Sequence, residues 1–471
     1  MTDTEQMPPT AGRLSPFDAS SLIVGIVVGT AIFKAPPFVF SNVPGPVSGL
    51  LVWLAGGVLS LIGALCYCEL ATTYPRLGGE YVYLTRAYGS WLGYLFGWTQ
   101  LTAILTGSVG TMAIVFCDYA QHVAGLAGIP VAVSAVFSVL ILTAVNLRGI
   151  VFGKLVQNVL TVAKVGGLVA ILLAALVAGV PEETVASPAS EGTGVISLGL
   201  AFVFVLYAYG GWSDAAFIAA EVRDLNRNVP RALLIGVGAI TLLYLAVNGA
   251  YLLVLGYAGL CSSGAPAADV LERVLGTTAA GAVSVLVMIS ALGAINGMLF
   301  SGSRVFATLG EDHRCMGWMG GWNERDVPVT AFLSLSALSV GLILAVGTQA
   351  GRNLVDGLLG FVNVAPMPWE QYGGGFDTLV TAMAPVFWVF FLLSGLSLIV
   401  LRWREGERPR PFRVPLYPFT PIVFCLTSGY MLYSSLMYAR QLALFGLVPV
   451  LVGLVLYAGQ SFWGDVGDSR K

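Results

Sequence analysis

The chain has 471 residues, 57% of hydrophobic type and only 10% charged, with 23 Lys+Arg against 25 Asp+Glu. Its mean hydropathy is +0.84. Soluble domains carry roughly 25% charged residues, so this composition excludes an ordinary soluble enzyme, a nucleic-acid-binding protein and a disordered segment, and indicates an all-α polytopic membrane protein.

Residues 1–16 are polar and contain proline but lack the basic start and cleavage pattern of a signal peptide, which predicts a cytoplasmic N-terminal tail. Crossing a bilayer takes about 20 apolar residues. Twelve such runs follow: 17–40, 47–74, 91–116, 129–147, 151–180, 195–222, 230–255, 278–309, 327–346, 378–403, 418–438 and 444–463. With the N-terminus inside, 18 of the 23 Lys+Arg fall on the cytoplasmic side, four fall outside, and Lys164 lies within a span. That asymmetry favours twelve crossings with both termini cytoplasmic. The longest external connections are 181–194, 256–277 and 347–377; the last reads either as a lid or as a plain connector. The six cysteines are scattered and show no metal or disulfide spacing, and no cofactor is expected.

The first and sixth spans are unlike the others. Gly25-Ile26-Val27-Val28-Gly29-Thr30-Ala31 and Tyr207-Ala208-Tyr209-Gly210-Gly211 place small, helix-weak residues at mid-span, five spans apart. Unwinding there frees backbone groups that lipid cannot satisfy, so it is tolerated only around a cavity or ligand. Free amides at the start of the second half-helix suit a carboxylate, and free carbonyls at the end of the first suit an ammonium or a cation. Matching breaks in two repeats point to a transporter's central site; close packing through small residues is the competing explanation.

These stretches also carry a resemblance. Gly29-Thr30-Ala31-Ile32-Phe33 resembles the Gly-(Ser/Thr)-Gly-Ile-Phe motif of the amino acid–polyamine–organocation superfamily, and Tyr207-Ala208-Tyr209-Gly210-Gly211-Trp212 is similar to a stretch of its L-type amino acid transporter branch. Cys66-Tyr67-Cys68-Glu69-Leu70, Gly78-Gly79-Glu80-Tyr81, Glu221 with Asn226-Arg227-Asn228-Val229-Pro230, and Arg410-Pro411-Phe412-Arg413 resemble further motifs of that branch. The resemblance implies a leucine-transporter-type fold of two inverted five-helix repeats, residues 17–180 and 195–403. A cytoplasmic loop 404–417, two extra helices over 418–463 and a tail 464–471 would follow.

It also implies roles. Substrate carboxylate would rest on amides around Gly29, Thr30 and Ala31, and the α-amino group on carbonyls of Val27, Tyr207 and Gly210, with Ala208 in the same break. Tyr207 would gate the site from outside. Ala31 stands where the family usually has glycine, which narrows the approach to the ligand. In some proton-coupled members a fifth-helix lysine occupies the position of a sodium ion between the first and eighth helices; Lys164 matches it, with Ser290 as a neighbour. From the residues alone, Lys164 lies roughly 20 Å along its span, where a charge costs at least ~2.5–3.5 kcal/mol and a lysine stem reaches water poorly. Asp214 reads either as a helix-terminal carboxylate or as part of a proton path. Glu69 and Glu221 read either as gate ion-pair formers or as solvated interfacial acids. Lys34, one turn beyond Thr30, weighs against a cationic substrate.

The resulting expectation is a cell-membrane amino acid transporter working by alternating access, as an H+-coupled symporter, with an obligatory exchanger and a non-transporting amino-acid sensor as alternatives. Its partners would be the amino acid, H+ and the lipid bilayer, with no nucleic acid. Animal L-type members pair with a glycoprotein through a cysteine after the third helix. The corresponding loop, 118–128, has none, so no disulfide-linked heavy chain is expected. No hydrolase or phosphate-binding motif appears, so no enzyme activity is expected.

Overall fold

The structure is a computed structural model that describes residues 12–121, 123, 130–178, 197–361, 365–370, 375–438 and 442–468. The connection 181–194, most of the loop 118–128, and the outermost residues of both tails lie outside the described residues.

The first span opens with a reciprocal cap. Ser15 Oγ accepts the Asp18 amide at 3.2 Å and the Asp18 carboxylate accepts the Ser15 amide at 2.9 Å, with Pro16 at the first helical position. Helix α1 (Pro16–Val27) then stops. Residues 28–30 are non-helical, and α2 (Ala31–Ser41) resumes at an angle of 51°. Helix α3 (Pro46–Thr73) returns across the bundle, and the short α4 (Glu80–Tyr88) lies in the following connection. Helix α5 (Ser90–Ala120) contains a π-helical turn at Gln100–Ile104. Helices α6 (Val131–Leu147) and α7 (Ile150–Ala178) complete the first set.

The next span is interrupted too. Helix α8 (Leu198–Ala208) ends at a break over residues 209–211, where Gly211 takes a left-handed φ of 99°. A 3-10 segment, Trp212–Glu221, continues the span. Then come α9 (Leu225–Ser262), α10 (Pro266–Leu275), α11 (Ala279–Asp312), α12 (Val329–Gly347), α13 (Gln349–Phe361) and α14 (Gly375–Arg404), followed by α15 (Phe419–Tyr438) and α16 (Ala443–Asp468). Among the described residues, nine helical stretches are long and apolar enough to cross a membrane and the bent α1–α2 pair makes a tenth; Val131–Leu147 and Ala443–Gly459 are apolar but shorter. The only β pairing among the described residues is an isolated bridge between Leu14 and Val222.

Two connectors differ from their sequence reading. The stretch after 255 stays helical to Ser262 through a kink at Gly256 (φ 70°) and then forms α10, and residues 347–377 contain the amphipathic α13. Both helices carry charged faces, which an apolar-run search passes over.

Burial sorts the spans. Helix α11 is central, with 78% of its apolar stretch buried, whereas α7 and α15 retain only 28%. Helix α7 buries one stripe, Gly153, Gln157, Thr161, Lys164 and Leu168, at helical spacing of three to four. Its opposite face, including Val151, Phe152, Leu155, Val159 and Val162, is exposed and apolar.

Candidate functional site

The two breaks face one chamber of about 290 Å³. On the first break, no backbone carbonyl among the described residues accepts the amides of Thr30, Ala31 or Ile32; the next amide, Phe33, turns back to Thr30 at 3.1 Å. On the second, the amides of Gly211, Trp212 and Ser213 are similarly open, as is the Gly210 carbonyl. These are the unsatisfied groups that a helix start leaves behind. Val27, Gly29, Thr30, Ala31, Tyr207, Ala208, Gly210 and Asp214 all line the chamber.

The Val27 carbonyl is already engaged. It accepts the Gly29 amide at 2.7 Å and the Tyr244 hydroxyl at 3.0 Å. Tyr244 also lies 3.2 Å from the Ala208 carbonyl, so one phenol on α9 ties the two breaks together. Sequence reasoning missed it, because a tyrosine within an apolar run carries no local signal of this role.

The walls were also beyond sequence reading. The π turn of α5 brings Gln100 and Ile104 to the chamber, with Ser108 and Thr111 beyond. From α14, Phe387 and Phe391 stack at 5.2 Å, and Trp212 meets Phe391 at 5.6 Å. Tyr207 lines the chamber and is exposed. The Asp214 carboxylate makes no hydrogen bond or ion pair among the described residues, so an acid stands beside this aromatic wall.

Lys164 is completely buried. Its ammonium donates to the carbonyls of Gly25 at 2.7 Å, Val28 at 3.0 Å and Ser290 at 3.0 Å. Ser290 Oγ donates to the same Val28 carbonyl at 2.8 Å. The ammonium thus bridges the end of α1 to α11, with three acceptors and no carboxylate partner among the described residues. Gly293 makes the room, since a Cβ there would stand 2.9 Å from the lysine tip. Below it, Thr161 donates to Ser21 O at 3.0 Å, and Gln157, Asn296 and Asn146 form a chain of amide hydrogen bonds at 2.8 Å.

Glu69 and Glu221 lie away from the chamber, in ion pairs. Glu69 is buried, accepts from Arg402 Nε at 2.6 Å, from Arg402 Nη2 and from the Val414 amide at 2.7 Å, and forms an ion pair with Arg410 Nε at 3.3 Å. Glu221 pairs with buried Arg304 at 3.2 Å. Beside it Leu14 pairs as a strand would: its amide reaches Glu221 O at 3.0 Å and its carbonyl takes the Arg223 amide at 2.8 Å. Glu80, at the start of α4, accepts the Tyr67 hydroxyl at 2.9 Å; burial, and then the Asp214 charge, push its carboxyl up to about 8.

A fold of apolar helices with two interrupted spans around one chamber is that of a membrane transporter, and comparison with known proteins agrees. The amino acid permease family profile matches residues 14–457. The mouse b(0,+)-type amino acid transporter 1 is 30% identical over 444 residues, covering 93% of this chain and 85% of that protein. The mouse large neutral amino acids transporter small subunit 2 is 28% identical over 458 residues, covering 94% and 80%. Among solved structures, Mhp1, a nucleobase-cation-symport-1 family transporter in a closed conformation with bromovinylhydantoin bound, superposes with a TM-score of 0.59 at 14% identity, covering 94% of this chain and 96% of that one. This last likeness concerns the fold alone. The chain belongs to the amino acid permease family, within its L-type branch, and is a multi-pass membrane protein rather than an enzyme.

Proposed function

We propose that the protein carries amino acids across the cell membrane by alternating access, with H+ moving in symport. The observation that carries this reading is the chamber itself, with open amides on one helix break and an open carbonyl on the other. Such a pair of poles suits the two ends of an α-amino acid. The carboxylate rests on the Thr30 and Ala31 amides. The ammonium goes to the second break, at the open Gly210 carbonyl, because the Val27 carbonyl is shared with Tyr244 and the Tyr207 carbonyl already takes the Gly210 amide at 3.0 Å. The aromatic wall of α14 receives the side chain and favours apolar substrates, and Tyr207 closes over them.

Lys164 is the proton carrier in this reading, with Ser290 beside it. Its ammonium is desolvated and held by three carbonyls, Gly25 on α1, Val28 in the first break and Ser290 on α11. Burial disfavours its charge while those carbonyls favour it. Tilting of α1 away from α11 alters that balance and releases or recaptures the proton. Twelve crossings with both termini cytoplasmic, in two five-helix repeats, complete the architecture; α6 and α16 are the two shorter crossings. No disulfide-linked partner subunit is needed. Obligatory exchange uses the same chamber without net proton movement.

The test is uptake of radiolabelled neutral amino acids into proteoliposomes, with and without an imposed pH gradient and with and without unlabelled amino acid inside. Accumulation driven by the gradient in wild type and lost in Lys164→Gln supports symport. Uptake that requires internal amino acid and ignores the gradient replaces symport by exchange, and saturable binding without accumulation replaces transport by sensing.

A further inference from the structure

A second cavity, of about 820 Å³, opens at the end of the bundle that holds the N-terminal segment. Arg13, Arg148, Lys154, Arg223 and Arg325 line it against a single acid, Asp326. Asp326 is already paired with Arg13 at 3.0 Å, and Lys154 is paired with Asp18 at 3.1 Å. Arg148, Arg223 and Arg325 have no ion pair among the described residues. Three guanidiniums from three different connections therefore converge on one hollow with no acid paired to them among the described residues.

The floor adds backbone donors. Gly149 adopts φ 133° and starts α7 at the cavity wall. The Phe152 and Gly153 amides turn back to Gly149 O at 3.1 and 3.2 Å, while those of Ile150 and Val151 reach no backbone carbonyl among the described residues. A 29-residue helix thus directs its positive end toward the same hollow. Arginine forks and helix-start amides together match the oxygens of a phosphate.

The rim identifies the source of that phosphate. Val151 and Phe152 line the cavity yet are exposed, and Leu155, Val159 and Val162 continue an apolar exposed stripe along α7. A soluble anion has no use for such a stripe, whereas an acyl chain has. We propose that this cavity binds the phosphate headgroup of an anionic membrane phospholipid, with an acyl chain lying along the outer face of α7. A general excess of basic residues on one membrane side explains scattered charges; exposed Arg148, Arg223 and Arg325 gathered around one hollow, continuous with an exposed apolar stripe, are the arrangement of a headgroup site. Arg13 and Arg223 flank Leu14 where it pairs with the 3-10 segment, so a headgroup held between them fastens the N-terminal segment to the sixth span. This site is separate from the chamber and does not depend on what the chamber carries.

The test uses the purified full-length protein in detergent, with dioleoylphosphatidylglycerol, dioleoylphosphatidylcholine and inorganic phosphate as separate probes, followed by tryptophan-fluorescence melting and native mass spectrometry. Phosphatidylglycerol should raise the melting midpoint and be retained in preference to phosphatidylcholine. Arg148→Gln/Arg223→Gln/Arg325→Gln should need at least about tenfold more of it for half the effect, and the corresponding triple lysine variant should recover part of the loss. Equal stabilisation of wild type and the glutamine variant overturns the proposal. So does inorganic phosphate matching phosphatidylglycerol at equal concentration, which would make this a soluble-anion site. Should the glutamine variant not fold, wild-type retention decides: equal retention of the two lipids overturns the proposal.

Discussion

An alanine at Gly293 probes the Lys164 ammonium without touching the lysine. Replacing a helix-interior glycine by alanine ordinarily gains about 1 kcal/mol. Here the new Cβ would stand 2.9 Å from both Cε and Nζ of Lys164. The flexible tip can withdraw, but only by giving up its bonds to Gly25, Val28 and Ser290. Gly293→Ala should therefore fold and still bind substrate, while gradient-driven uptake falls roughly tenfold. A wild-type gradient response in that variant would separate coupling from the ammonium's seat. Glu80 makes a second prediction at this scale. Burial and the neighbouring Asp214 hold its carboxyl at about 8, against 4.5 for an unperturbed glutamate. The folded state thus binds the proton more tightly than the unfolded chain. The resulting stabilisation is complete below about 4.5 and is lost as pH rises through about 8. Between pH 7 and 9 the melting midpoint of wild type should drop more steeply than that of Glu80→Gln. Parallel curves would mean that Glu80 is already ionised at pH 7.

The interrupted helices are coupled at the scale of elements, and Tyr244 is the coupling. Its hydroxyl lies within hydrogen-bonding distance of the Val27 and Ala208 carbonyls, one from each break. Tyr244→Phe leaves the ring packing against Trp53 and Tyr209 but removes the donor. A buried acceptor left unsatisfied costs about 1–3 kcal/mol. Protein stability should fall by that amount, and substrate affinity by up to about tenfold, as the two breaks lose their common register; unchanged affinity in a stable variant would show that each break holds its shape alone. The breaks themselves were legible in sequence because their cause is local: Gly25, Gly29, Gly210 and Gly211 concentrate weak helix formers where a span should be strongest. The burial of Lys164 among polar partners was legible because a mid-span ammonium is costly wherever it lacks them. Tyr244 and Gln100 were not. A buried phenol in a long apolar helix and a π turn both answer to tertiary packing, and neither leaves a periodic or compositional trace. Likewise Phe387, Trp388 and Phe391 read as apolar filling until α14 is placed against the second break.

At the scale of the whole molecule, the proposed alternating access would have the end of the bundle that holds the N-terminal segment open, and the ion pairs there differ greatly in what they hold. Arg13 and Asp326 keep side-chain exposures of 57% and 21%, so their 3.0 Å contact is screened and contributes about 0–1 kcal/mol. Arg304 and Glu221, at 1% and 0%, are cut off from water. Removing one charge from such a pair strands the other, at a cost of about 3–5 kcal/mol. Arg304 keeps bonds to Phe300 O at 2.9 Å and Ser303 Oγ at 3.1 Å, and lies 3.9 Å over the Phe300 ring, which places the cost at the lower end of that range. Glu221→Gln should therefore lower the melting midpoint markedly and reduce uptake, because the stranded guanidinium weakens the junction of Leu14 with the 3-10 segment. Arg13→Ala should leave the midpoint nearly unchanged and alter uptake by less than about fivefold. Melting and uptake measured together on the two variants check this ordering. Equal losses in both would mean that water reaches the Glu221–Arg304 pair, and that this end of the bundle is already open in the resting protein.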